Sequence, residues 1–202
     1  ELLSERTNLV KYVDLPLQHV SGNVLRNMRR PGDYESTREL IKRIRTKIPG
    51  VTIRSSFIVG FPGETEEDFQ QLITFLETER LNHVGIFKYS REENSTAYDL
   101  PNQIDDDTKE ARYRKAMRVQ QRISEDLNQE LVGKRLQVLM EYPSEESELV
   151  MIGRHQGQAP DVDGVVYVGR GTLEPGDIVT VNITEAHAYD LVGEEIDEGE
   201  LA

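Results

Sequence analysis

The segment TIRSSFIVGFPGETEEDF, Thr52 to Phe69, constrains this chain more than any other. It begins as a β-rich run, turns through Gly60-Phe61-Pro62-Gly63, and predicts a helix from Thr65 with Glu66, Glu67 and Asp68 in its first turn. Acidic residues there suit the positive end of the helix dipole. Thr65, with Asp68 three residues on, approximates a capping box. The glycines let backbone approach a ligand closely. The unit is strand, glycine turn, helix, with the turn at the carboxyl end of a strand, where α/β folds place their ligands. A plain βα connection without a ligand has the same local pattern. A phosphate-binding P-loop is not expected, because no Gly-Lys-Ser/Thr follows.

The sequence contains no cysteine. That removes disulfides and any cysteine-ligated zinc or iron–sulfur site from this chain. The start, ELLSERTNLVKYVDLP, is mixed and polar, and no apolar run approaches a membrane span, so the chain reads as a soluble protein of the cytoplasm. Charge divides it. Residues 1–127 hold 20 Lys/Arg against 21 Asp/Glu, whereas residues 128–202 hold 4 against 16, nearly the whole net charge of −13. The expected organisation is one domain over 1–127, a second over 128–197 and a short acidic tail over 198–202.

The first part alternates strands and helices. Strands are expected at Lys11–Gln18, Val51–Val59 and His83–Tyr89. Helices are expected at Gly22–Arg30, Tyr34–Ile48, Glu66–Glu79 and Thr108–Leu131. Helical connections between successive strands imply parallel pairing. Three strands are too few for a free-standing sheet of this kind, so the segment reads as part of a larger barrel whose earlier strands lie upstream. The acidic part reads as five short strands, RLQVLMEY, LVMIGRH, GVVYV, DIVTVNITEA and AYDLVGEE, separated by turns such as Asp163-Gly164 and Pro175-Gly176-Asp177. Five strands in so short a span suit a small antiparallel, OB-like barrel. Such barrels commonly bind nucleic acid, but a strongly negative surface repels phosphate.

Polar residues cluster at the expected strand ends: Gln18 and His19 after the first, Arg54 and Ser56 on the second, Lys88 and Ser90 after the third. All three ends emerge on one face, where they either converge on a ligand or are simply solvated. Arg54 stands out, because an arginine within an apolar strand needs an anionic partner. Glu92-Glu93 and Asp105-Asp106-Asp107 read as solvated charges. The histidines at 19, 83, 155 and 187 are scattered and give no metal site. No Ser-His-Asp arrangement, HExxH motif or carboxylate pair at fixed spacing is present, so no catalytic residue is assigned.

The segments YVDLPLQHVSGNVLRNMRRPG, RSSFIVGFPGETEEDF and VGIFKYSREENSTAYDLPNQI resemble the C-terminal half of the radical S-adenosylmethionine methylthiotransferases. The acidic part resembles their TRAM domain. The resemblance implies an α/β chain made of the C-terminal part of a TIM-like radical SAM barrel, followed by a small all-β, OB-like TRAM barrel. Two branches of that family differ in substrate: one modifies adenosine in transfer RNA, the other an aspartate of a small-subunit ribosomal protein. The run IGRHQGQAPDVDGVVYV resembles the second branch, and the charge agrees, because an acidic barrel suits a basic protein and disfavours transfer RNA. A non-catalytic acidic module that docks a basic protein is the other class of reading.

What the family implies is a cluster held by a C-x-x-x-C-x-x-C loop that reductively splits S-adenosylmethionine, with a second 4Fe-4S cluster serving sulfur insertion. Neither cysteine set is present in this chain, which by itself is expected to be inactive. By position, Gln18, Arg54, Gly60, Phe61 and Pro62 match the region that contacts S-adenosylmethionine, with Arg54 facing its carboxylate and Phe61 its adenine. Ser56, Lys88 and Ser90 lie within reach. Glu64 either caps a polar group of the ligand or opens the helix.

Overall fold

The computed structural model describes residues 2–196. Its contacts divide them into two units, 2–7 with 12–123, and 8–11 with 124–196. The residues 198–202 expected as an acidic tail lie outside the described range.

The first unit is a parallel sheet with helical connections. A short helix α1 (Leu2–Glu5), not expected from sequence, comes first. The strands are β1 (Tyr12–Asp14), β2 (Thr52–Val59) and β3 (His83–Lys88), in the order β1-β2-β3 and all parallel. The helices are α2 (Gly22–Asn27), α3 (Tyr34–Lys47), α4 (Glu66–Glu79) and α5 (Asp106–Gln129).

Two expected boundaries need correction. The first strand was expected to run from Lys11 to Gln18, but its ladder stops at Asp14. Pro16 has no N–H to give. The hydroxyl of Ser55 fills the gap, accepting from Leu17 N at 3.3 Å and donating to Leu15 O at 2.9 Å. Gln18 then rejoins β2, donating to Ser56 O and accepting from Ile58 N, both at 2.8 Å, with a left-handed φ of 69°. The second correction is to α2, expected to reach Arg30. It ends at Asn27, and Arg29 turns left-handed at φ 56° so that Arg30 N can reach Leu25 O.

β2 shows why this unit holds together. Its odd residues, Ile53, Ser55, Phe57 and Val59, are fully buried, and its even residues are not. Phe57 meets Phe75 of α4 edge-on at 5.9 Å between centroids, and Phe69, Leu72 and Leu76 complete the same apolar stripe. Each such side chain contributes about 2–3 kcal/mol by leaving water.

The second unit is a closed barrel of β4 (Arg135–Pro143), β5 (Val150–His155), β6 (Val166–Gly169), β7 (Ile178–Ala186) and β8 (Leu191–Glu195). The strand order is β4-β5-β6-β8-β7, closed by β4 against β7. The five strands match the expectation, but the barrel is not wholly antiparallel: β6 and β8 run parallel. β7 lies across the barrel beside β4, so the chain reaches β6 again from the opposite end. Val138, Met140, Met151, Val166, Val168, Leu173, Val181, Ile183 and Leu191 fill the interior. Two inward positions have room only for glycine. A Cβ on Gly153 would lie 2.6 Å from Leu139 O, and one on Gly193 would lie 2.4 Å from Val181 Cγ1.

Candidate ligand site at the glycine turn

The alternation of β2 that buries Phe57 presents Arg54, Ser56 and Ile58 on the other face of the sheet. On that face an open hollow of about 410 Å³ is lined by Gln18, Ser56, Ile58, Phe61, Phe87, Lys88, Tyr89, Ser90, Glu92, Ser95 and Ala97. Gln18, Ser56, Phe61 and Lys88, four of the residues singled out from sequence, therefore meet at one place. Phe61 forms one aromatic wall with Tyr89, at 5.1 Å between centroids and steeply inclined. The Tyr89 hydroxyl is buried and has no hydrogen-bond partner among the described residues.

Other expected residues are engaged differently. Arg54 finds its anion within the sheet: Nη1 donates to Asp14 Oδ2 at 2.8 Å, across the β1–β2 register. The Lys88 ammonium turns to α5, donating to Glu110 at 2.7 Å and lying over the Tyr113 ring. These contacts raise its pKa. Ser90 donates to Glu92, whose side chain had read as a solvated charge.

The turn itself is held from beneath. Gly60 has φ 75°, and a Cβ there would lie 2.3 Å from Lys109 Cγ, so glycine is required on both counts. Glu64 neither faces a ligand nor simply opens the helix. Its carboxylate folds back under the turn, where Oε2 accepts from Gly60 N at 2.6 Å and Phe61 N at 3.3 Å. Its Oε1 accepts from Arg112 Nη1 of α5 at 2.8 Å. The side chain is fully buried, and burial pushes its pKa up to about 7, against the opposing pull of Arg112 and the two amides.

His19, expected at a strand end and either facing a ligand or solvated, is instead wholly buried. Its Nδ1 accepts from Ser21 N at 2.9 Å, so the neutral ring carries its proton on Nε2. That nitrogen has no hydrogen-bond partner among the described residues, and Glu64 Oε2 lies 3.9 Å away, beyond hydrogen-bond reach. Burial drives the His19 pKa down to about 4, although Asp68 works the other way.

Asp68 closes the capping box with Thr65 and also ties α2 to α4, accepting from the Ser21 hydroxyl and from Asn23 Nδ2 at 2.8 Å. Burial raises its pKa, but the hydrogen bonds from Ser21, Thr65 and Asn23 outweigh this and hold it below the usual range. Asn23 reaches on to Gly63 O at 3.2 Å, so the turn is fixed at both ends. Sequence reasoning missed Arg112, Tyr89 and Phe87. Arg112 lies 48 positions from the glutamate it pairs with, and nothing local marks it.

The site offers an aromatic wall, polar groups on the half-buried Gln18 and Ser56 and the exposed Ser90, and backbone at the glycine turn. These fit a ligand with a flat heteroaromatic ring and a polar tail, as S-adenosylmethionine has. They do not fit an iron–sulfur cluster. The sequence has no cysteine, and the described residues bring no three potential metal ligands together.

Comparison with known proteins agrees with this geometry. The radical SAM superfamily model matches residues 1–76 and the TRAM domain model matches residues 132–196. The chain is 48% identical over 192 residues to ribosomal protein uS12 methylthiotransferase RimO of Myxococcus xanthus, covering 95% of this chain and 40% of that protein. The protein of the same name from Anaeromyxobacter sp. is 46% identical over 193 residues, covering 96% and 41%. That from Trichlorobacter lovleyi is 47% identical over 198 residues, covering 98% and 44%. The chain thus spans about two fifths of the length of the curated relatives it matches. A glycine turn built on a parallel strand, a separate five-stranded barrel, and this identity over nearly the whole chain make it similar to a radical SAM segment followed by a TRAM domain, as in the matching part of those relatives.

Proposed function

We propose that this chain is part of an enzyme that methylthiolates an aspartate of a small-subunit ribosomal protein in the cytoplasm. The observation that carries the reading is 46–48% identity over at least 95% of the chain to proteins named for modification of uS12. The chain contributes one wall of the S-adenosylmethionine site. Phe61 stacks on the adenine, the Gly60 and Pro62 backbone lines its edge, and Gln18, Ser56 and Lys88 border the polar part. Arg54, already oriented by Asp14, faces the ligand carboxylate. S-adenosylmethionine supplies the activated methyl and deoxyadenosyl groups. The residues of this chain bind it, orient it and keep the turn rigid.

Both 4Fe-4S clusters belong to cysteines outside this chain, which by itself is inactive. The acidic barrel meets the basic protein substrate, while its net charge disfavours transfer RNA. No helix of the described residues is long and apolar enough to cross a membrane.

The test is to express the full-length protein in a strain lacking the activity and to weigh the ribosomal protein by mass spectrometry. The expected result is a mass increase of one methylthio group on an aspartate of uS12. Unmodified uS12, with methylthiolated adenosine in transfer RNA instead, would overturn the reading. In the same protein, Arg54→Ala should weaken S-adenosylmethionine binding by about 1.5–3 kcal/mol, the range for a hydrogen bond to a charged group. Unchanged affinity by calorimetry would remove Arg54 from the site.

A further inference from the structure

The outer face of the barrel carries a feature that its charge alone does not account for. Tyr142, Ile152, Tyr167 and Val192 are successive register partners on β4, β5, β6 and β8, forming one row across four strands. Their neighbours along the strands, Met151, Val166, Val168, Leu191 and Gly193, are buried, so the row points outward. Outward positions on a solvated sheet are ordinarily polar. Here all four are apolar or aromatic. Tyr142 is 49% exposed and the other three are half-buried.

Both ends of the row depend on a β-bulge. Met140 is buried in the core, and strict alternation would bury Tyr142 as well. The register shift between them turns Tyr142 outward. Beyond Val192 the row continues to Glu185 of β7, which follows the buried Ile183 across a second register shift. Bulges of this kind re-aim side chains at functional edges.

Acidic side chains border the row. Glu185 ends it, and the Tyr167 hydroxyl has its pKa raised by burial and then by the charges of Asp190 and Glu146. The barrel has few cations, and one of them, Arg154, is paired with Glu141 at 2.9 Å. An apolar strip rimmed by carboxylates complements a polypeptide that alternates lysine or arginine with aliphatic or aromatic side chains. It opposes phosphate.

We propose that the row Tyr142–Ile152–Tyr167–Val192, with Glu146 and Glu185 at its margins, is the surface on which the barrel docks a basic segment of its protein substrate. This rests on the substrate reading above and specifies the contact face. The apolar row supplies affinity and the carboxylates supply encounter rate and orientation.

The test uses the 202-residue chain with purified uS12 and, separately, bulk transfer RNA, titrated at two salt concentrations. Tyr142→Ser is chosen because half of that side chain is already exposed, and Glu146→Gln and Glu185→Gln probe the margin. Glu174→Gln, in the β6–β7 connection, removes the same charge at a position that is not a member of the row. The expected result is a loss of at least about tenfold in uS12 affinity for Tyr142→Ser, a smaller and salt-dependent loss for the two margin variants, and wild-type binding for Glu174→Gln. Thermal unfolding unchanged from wild type verifies that Tyr142→Ser is folded. Equal losses in all three glutamine variants with no loss in Tyr142→Ser would overturn the row while leaving the substrate reading intact. Absence of uS12 binding by the wild-type chain would overturn docking by the barrel altogether. Transfer RNA binding that is abolished by Tyr142→Ser would assign the row to nucleic acid and overturn the proposal.

Discussion

His19 and Glu64 titrate in opposite senses beneath the glycine turn, and replacing His19 by Asn separates them. The histidine falls from its ordinary 6.5 to about 4 on folding. Between those values the unfolded chain holds more protons, so this group makes stability rise with pH and takes it away as pH falls. Glu64 rises from 4.5 to about 7. Between those values the folded chain holds more protons, so this group makes stability fall as pH rises. From pH 4.5 to 6.5 both operate at about 1.4 kcal/mol per unit with opposite sign, and they cancel. Asn at position 19 keeps a side-chain oxygen able to accept from Ser21 N but does not titrate. His19→Asn should therefore lose about 3 kcal/mol relative to wild type as pH rises across those two units. The assay is urea unfolding followed by helical circular dichroism, to which the barrel contributes little, at half-unit steps of pH. Taking the difference from wild type removes shared contributions from Asp68 and the exposed carboxylates. A His19→Asn curve parallel to wild type would refute the reasoning. It would mean that His19 binds its proton equally well in the folded and unfolded chain despite its burial.

Two further expectations follow from close approaches. Gly60→Ala combines a left-handed φ with a Cβ 2.3 Å from Lys109, and should destabilise the first unit by about 1–3 kcal/mol in the same urea assay. Gly193→Ala places a methyl group 2.7 Å from Asn182 O and closer still to Val181, and should lower the thermal midpoint of the barrel by overpacking, at a cost of about 1–3 kcal/mol. A midpoint equal to wild type would show that the β7–β8 pair separates without strain.

Much of the fold was legible because it is written locally. The β-rich run of β2, the glycine turn and the Thr65–Asp68 box each lie within a few residues, and the structure shows all three as read. What escaped depends on distant partners or on backbone irregularity. The inward turn of Glu64 exists because Arg112 arrives from α5. The early end of β1 follows from Pro16, whose gap is bridged by a serine 39 positions later in the chain. The parallel β6–β8 pairing cannot be read from strand count, because antiparallel strands carry the same turn signals. The outward direction of Tyr142 contradicts simple alternation and depends on a one-residue shift against β5. Of the candidate site, the residues of the turn could be found from the glycines. Tyr89 and Phe87 could not, because they join it only when β3 is laid against β2.

The position of β8 between β6 and β7 has a consequence for how the barrel is made. β4 to β7 can form an open sheet as they leave the ribosome, but β6 and β7 each keep a bare edge until Leu191–Glu195 emerges and slots between them. The barrel strand that comes last in chain order is thus the keystone. A chain arrested even a few residues short of Glu195 would expose two unpaired strand edges at once, the condition that invites aggregation. Closure by β8 makes that strand a checkpoint: only a chain read through Glu195 gains a sealed second unit.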